Sequence, residues 1–221
     1  MLELLSPAGS PEAVIAAVQN GADAIYMGMG NFNARRGAKN FTDEEFEKAV
    51  RYCRIRGCKV YVTLNTLVGD REMEAAVAAA RLASQKGADA ILVQDLGLAR
   101  AIRQALPDIP IHASTQMSIH NLAGVEAAAE MGLTRAVLAR ELSLEQIKFI
   151  SKHASIETEI FVHGALCFCH SGQCYMSSLI GRRSGNRGLC AQPCRMQYSL
   201  GGRMDDYPLS LKDNCLVDRL Q

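Results

Sequence analysis

The sequence lacks the features that place a chain in a membrane or outside the cell. No apolar run approaches the roughly 18 residues needed to span a bilayer. The start, MLELLSPAG, has neither the basic nor the apolar region of a secretory signal. The expected setting is the cytoplasm, with no membrane partner. Thiols stay reduced there, so the cysteines point to a metal or redox site before a disulfide framework. A net charge of only +1 excludes a chain that binds nucleic acid through its whole surface, although a local basic face is compatible with it. Neither G-x-S-x-G nor H-E-x-x-H occurs, and C-x-x-C-H haem attachment is absent.

The most informative absence is local. Between Ile160 and Met204 there is no Asp, Glu or Lys, yet Arg182, Arg183, Arg187, Arg195 and Arg203 lie there. Cys167, Cys169, Cys174, Cys190, Cys194 and Cys215 crowd into or near the same stretch. Clustered thiolates carry negative charge that a metal or iron–sulfur cluster neutralises, and nearby arginines can hold an anionic substrate. The spacings match no zinc ribbon. Iron–sulfur clusters accept irregular spacing and use four thiolates. A structural zinc site and metal-free thiols stay open at this point. A peptidase dyad can be drawn from His163 or His170 with Cys167 or Cys169, but no orienting acid is evident. Cys53, among apolar helix positions, and Cys58, entering a strand, read as core thiols.

What the sequence does contain is a rhythm. Strand-like runs alternate with helical patterns seven times, from Leu2–Ser6 to Glu157–Val162. Ser10 with Pro11, the Thr42/Glu45 box and the Ser143/Gln146 box mark helix starts. This predicts a parallel α/β sheet, read here as a (β/α)8 TIM-type barrel cut short before strand 8. Residues 1–164 form the barrel core. Residues 165–221 form a Cys-rich insertion, a hairpin (Met196–Leu200 with Tyr207–Leu211) and the start of a further helix, all in one domain. The rest of the same polypeptide is an expected partner.

In such a barrel the site lies at the C-terminal ends of the strands. Ser6, Gly28, Asn65, Gln94, Asp95, Ser114, Gln116, Arg140, Glu141 and His163 are predicted there. Asn65, Asp95, Gln116 and His163 stand out because they follow long apolar strands and do not read as caps. The run GMGNFNARR lacks the third glycine of a dinucleotide loop. Its Arg35 and Arg36 are read as ligands for a carboxylate or phosphate, or as solvated loop charge.

Several runs carry a resemblance. They are EIFVHGALCFCHSGQCYMSS (Glu159–Ser178), GRRSGNRGLCAQPCR (Gly181–Arg195), PLSLKD (Pro208–Asp213), LLSPAG, NGADAIY and IHASTQ. Together they resemble the collagenase-like peptidase family of unassigned catalytic type. That resemblance implies either a peptidase or an oxygen-independent hydroxylase acting on tRNA or rRNA, with prephenate as hydroxyl source. It implies a 4Fe–4S cluster on Cys167, Cys174, Cys190 and Cys215, with Cys194 as substitute for Cys215 and Cys169 outside the set. A small anionic co-substrate would rest against Arg140 and His163, with Asp95 or Glu141 moving protons and Asn65 and Gln116 completing the catalytic set. Ser114, Arg35, Arg36, Arg182, Arg183 and Arg187 would help to bind substrate. A zinc-stabilised binding module is the remaining alternative.

Overall fold

Seven short strands and six helices alternate before the Cys-rich segment begins. The computed structural model describes residues 2–34, 36, 40–164, 167, 169–171, 173–196, 198–200 and 203–206. In order they are β1 (Leu5–Pro7), α1 (Pro11–Gln19), β2 (Ala24–Gly28), α2 (Asp43–Arg54), β3 (Lys59–Leu64) and α3 (Met73–Gln85). Then come β4 (Ala90–Val93), α4 (Leu96–Ala105), β5 (Ile111–Ala113), α5 (Leu122–Glu130), β6 (Arg135–Val137), α6 (Leu144–His153) and β7 (Glu157–Glu159). A short helix α7 (Met176–Gly181) and a hairpin of β8 (Tyr198–Leu200) and β9 (Arg203–Asp206) follow. The first seven strands form one parallel sheet whose spatial order is the chain order. Connections through helices on one side give a TIM-like half-barrel.

Local chemistry explains the starts. Ser10 accepts from the Ala13 amide, with Pro11 at the first helical position. Thr42 and Glu45 close a reciprocal capping box on α2, and Ser143 and Gln146 do so on α6. Strand periodicity sorts the side chains. Ile25, Met27, Val60 and Val62 face helices in one buried cluster, and Leu64, Ile91, Val93, Ile111, Ala113 and Ala136 do so in another. The alternate residues Ala24, Tyr61, Ala90, Leu92 and Val137 line the lumen with Tyr26 and Phe161. Each fully buried Leu, Ile or Val contributes about 1.5–3 kcal/mol.

Polar groups fill the lower lumen. Arg135, at the start of β6, is buried and donates to Glu3 (2.6 Å), Glu157 (2.6 and 2.9 Å) and Glu159 (3.4 Å). Tyr61 donates its hydroxyl to Glu3 at 2.9 Å and meets His112 edge-on at 4.9 Å. Burial opposes ionisation of Glu3, yet hydrogen bonds from Arg135, Lys59 and Tyr61 overcome it and hold its carboxyl at about 2. Burial, aided by the charge on Arg135, pushes His112 down to about 3.

The structure revises the expected ends of several elements. The α3 region opens with a 3-10 turn at Asp70–Glu72. The second hairpin arm is Arg203–Asp206, earlier than the expected Tyr207–Leu211, which with the expected terminal helix lies outside the described residues.

Candidate functional site

The predicted rim residues do gather at one end of the strands. Asn65, just past β3, accepts from the Ala34 amide at 2.9 Å and donates to the Ser114 hydroxyl at 3.3 Å. It thereby ties the loop after β2 to the end of β5. Ser114 opens a 3-10 turn that carries Gln116, and the Gln116 amide donates to the Ser114 hydroxyl at 3.5 Å. The side-chain oxygens of Gln94 and Gln116 are buried and have no hydrogen-bond partner among the described residues. Buried acceptors of this kind usually find a partner.

Asp95 departs from its expected freedom from capping. Its carboxylate accepts from the Leu98 amide at 2.8 Å and the Val68 amide at 3.3 Å, so it is the N-cap of α4. The residue follows a buried strand and starts a helix at once, which leaves its carboxylate beside the first unsatisfied amides.

A tighter constellation forms where the loops after β5 and β6 meet the Cys-rich segment. Glu141 accepts from the Ser171 amide at 2.8 Å and from the Ser171 hydroxyl at 3.1 Å. The Arg140 amide donates to the same hydroxyl at 3.4 Å, and Ser118 donates its hydroxyl to the Ser171 carbonyl. Ser171 is therefore a fully buried peg joining the segment to the barrel. Burial raises the Glu141 pKa, but hydrogen bonds from its own amide and from Ser171, with the charge of His170, prevail, and it lies below its ordinary value. The ring of His120 stacks on His170 at 4.6 Å, and its Nε2 lies 3.4 Å from a Glu141 oxygen. The Arg140 guanidinium sits 5.9 Å from the Phe161 ring, and His163 is exposed in the turn after β7. Of these residues, Ser118, His120 and Ser171 had no place among the sequence candidates. His120 lies well beyond the strand end, past a turn in which Ser118 takes the left-handed conformation.

A second anchor lies across the mouth. Arg187 donates to Glu72 through both terminal nitrogens (2.6 and 2.7 Å) and to the Leu67 carbonyl at 2.8 Å. The Leu67 amide returns a bond to the Asn186 carbonyl at 3.1 Å. Gly188 packs so close that a Cβ there would stand 2.1 Å from the Asn33 carbonyl. Arg187, expected to hold substrate, thus has its fork on a carboxylate. Arg36 is exposed and lines a cleft of about 80 Å³ with Asn31, Phe32, Thr66, Glu72 and Arg187. Arg182 and Arg183 are exposed, and Arg183 also donates to the Leu189 carbonyl at 3.1 Å. Arg35 and Cys215 lie outside the described residues.

The thiols divide as expected. Cys53 and Cys58 are buried in the core, and burial pushes Cys53 up to about 12. Cys167 and Cys190 are exposed, while Cys169, Cys174 and Cys194 are half-buried, and all seven described cysteines are thiols. Burial raises Cys169 to about 12, reinforced by hydrogen bonds and charge from Cys174 and Cys167. Burial also raises Cys194, reinforced by charge on Cys167, Cys190 and Cys174, with Arg195 opposing. Cys167, Cys174 and Cys190 therefore share one neighbourhood with Cys169 and Cys194. Neutral thiols crowded this way resist ionising together, and bound iron would relieve that resistance. Tetrahedral zinc at Zn–S of about 2.3 Å holds its sulfurs roughly 3.8 Å apart. Among the described residues, only His120, Glu141 and His170 bring three ligand atoms within 4.8 Å of one another.

Comparison with known proteins follows this geometry. The family model described as Peptidase family U32 matches residues 9–221. The 23S rRNA 5-hydroxycytidine C2501 synthase of Escherichia coli is 42% identical over 219 residues, 96% of this chain and 33% of that protein. The tRNA hydroxylation protein P of the same organism is 37% identical over 206 residues, 92% of this chain and 46% of that one. A collagenase of Porphyromonas gingivalis is 32% identical over 227 residues, 97% of this chain and 54% of that one. The chain thus spans between a third and about half of the length of these relatives. The solved U32 peptidase Mk0906 shares the fold, with a TM-score of 0.62 at 16% identity over 75% of this chain and 70% of that one.

Proposed function

Because this chain belongs to peptidase family U32, we propose that it serves an oxygen-independent, iron–sulfur-dependent hydroxylation of a base in tRNA or rRNA. The observation that carries the reading is the gathering of Cys167, Cys174 and Cys190 around Cys194, close enough for each to act on its ionisation. Cys167, Cys174 and Cys190 would hold a 4Fe–4S cluster with Cys215, or with Cys194 in its place. Bound there, the cluster supplies one-electron chemistry without dioxygen.

The chain's own residues set the stage around it. Arg140 offers its charge beside Phe161 to a small anion, and prephenate, as hydroxyl donor, has that chemistry. Glu141, held anionic by Ser171, is placed to take or return a proton, with His163 at the same rim. The amides of Asn65, Gln94 and Gln116 and the hydroxyl of Ser114 line the mouth as neutral positioning groups. Asp95 acts on this site by fixing the start of α4. Arg182 and Arg183 present exposed charge to RNA phosphates. Arg36 and Arg187 support that side of the mouth through the Glu72 pair, and Arg35 adjoins them in sequence. The rest of the polypeptide would supply further basic surface. No helix among the described residues is long and apolar enough to cross a membrane, which suits a cytoplasmic RNA substrate.

Anaerobic purification with iron and sulfide analysis tests the cluster, and nucleoside mass spectrometry of RNA from a deletion strain tests the reaction. A colourless, iron-free protein under strict anaerobiosis, or RNA that loses no oxygen atom, overturns it. The relative named as a collagenase favours peptide hydrolysis as a second reading. That reading requires gelatin cleavage by pure protein that disappears on a single substitution at Cys167 or His163.

A further inference from the structure

We infer that His120, Glu141 and His170 form a second, mononuclear site for a divalent transition-metal ion, distinct from the thiol group beside it. Their donor atoms lie within 4.8 Å of one another, a separation a single ion can bridge. The hydrogen bonding around them decides what faces inward. The His120 Nδ1 is bonded to the Ser118 carbonyl, which can only accept, so Nδ1 carries the proton. In the neutral ring Nε2 then bears a lone pair. That Nε2 is buried, has no hydrogen-bond partner among the described residues and lies 3.4 Å from a Glu141 oxygen.

A lone pair only 3.4 Å from a carboxylate oxygen is repulsive unless a cation lies near both. A proton would satisfy His120 and Glu141 and leave the exposed His170 to solvent. A metal ion satisfies all three. The surroundings match what metal sites need in their outer layer. A backbone carbonyl fixes the tautomer and orientation of one imidazole, and the Ser171 amide and hydroxyl orient the carboxylate. The left-handed turn at Ser118 lets its carbonyl reach back to the ring two residues later. Two imidazoles and one carboxylate suit a ferrous- or zinc-class ion and leave coordination positions open. His170 is exposed, so the open side faces solvent at the mouth. An oxygen donor of a small anion or a water would complete the coordination there.

This inference stands apart from the cluster, because none of its ligands is a cysteine. The test adds Co(II) anaerobically to the full chain, once with its iron loaded and once as the Cys167→Ala/Cys174→Ala variant. Binding at the proposed site gives weak visible bands without the intense near-ultraviolet sulfur-to-cobalt absorption that thiolate ligands produce. One equivalent with the nitrogen/oxygen signature is expected in both samples. His120→Ala should weaken it by at least the roughly 100-fold seen for loss of supporting partners in metal sites. Glu141→Gln should weaken it as well, with thermal melting confirming that both variants are folded. His153→Ala, on the far end of α6, should leave it unchanged. A purely thiolate spectrum, absence of bound cobalt, or binding that survives both His120→Ala and Glu141→Gln overturns the site.

Discussion

Arg135→Met removes the cation that joins Glu3, Glu157 and Glu159 in the lumen network. The Arg135 side chain is 8% exposed and serves Glu3, Glu157 and Glu159. Without it, the carboxylates of Glu3 and Glu159, 22% and 16% exposed, face each other without that partner. Breaking a buried pair by deleting one member costs about 3–5 kcal/mol. Glu3 is held at about 2 by hydrogen bonds from Arg135 first, with Lys59 and Tyr61 sharing the effect. A depressed carboxylate stabilises the fold above 4.5 and loses that contribution as pH falls towards 2. His112, pushed down to about 3, likewise costs the wild type stability as pH falls below 6.5. In the variant Glu159 loses its cation while Glu3 keeps Lys59 and Tyr61, and uptake of a proton by the carboxylates relieves the strain that the substitution creates. Urea unfolding should therefore show a loss of about 3–5 kcal/mol at pH 7 that shrinks by at least about 1 kcal/mol at pH 5. A loss under about 1 kcal/mol at pH 7, or a deficit unchanged at pH 5, refutes the argument.

Asp95→Ala should cost about 1 kcal/mol by uncapping α4, with Asp95→Asn largely restoring it; unchanged stability with lost activity would place Asp95 in the chemistry. Gly188→Ala should loosen the Cys-rich segment, because φ is +74° and the new Cβ would strike the Asn33 carbonyl. Its iron content should fall while the barrel's circular dichroism persists, and wild-type iron retention would contradict that packing. In iron-free protein at pH 8, iodoacetamide should label Cys167 and Cys190 well before Cys53 and Cys58, as read by peptide mass spectrometry. Equal rates would mean the core opens readily.

The barrel was legible because it is written locally. Ser10, Thr42/Glu45 and Ser143/Gln146 cap their helices through neighbours three residues away, and alternation in Lys59–Leu64 reports the two faces of one sheet. Asp95 misled because the same polar residue at a strand end suits both a catalytic role and a cap. The site was half legible. Glu141 and the thiols declared themselves by type and crowding. The partners of Glu141 did not, since Ser171 and His120 approach from segments far along the chain. Arg187 looked like an anion ligand because its own stretch has no acid, but its carboxylate, Glu72, comes from beside α3. Local composition carries no record of such a distant pairing.

The charged floor of the lumen ties Glu3, ahead of β1, to β6 and β7 through Arg135. The groups that secure this end belong to the strand starts, apart from Asn65, Ser114 and Glu141 beyond the strand ends. Changes of loop or ligand at the lip can therefore accumulate without eroding the foundation, which is how one vessel can serve chemistries as different as those borne by its relatives' names.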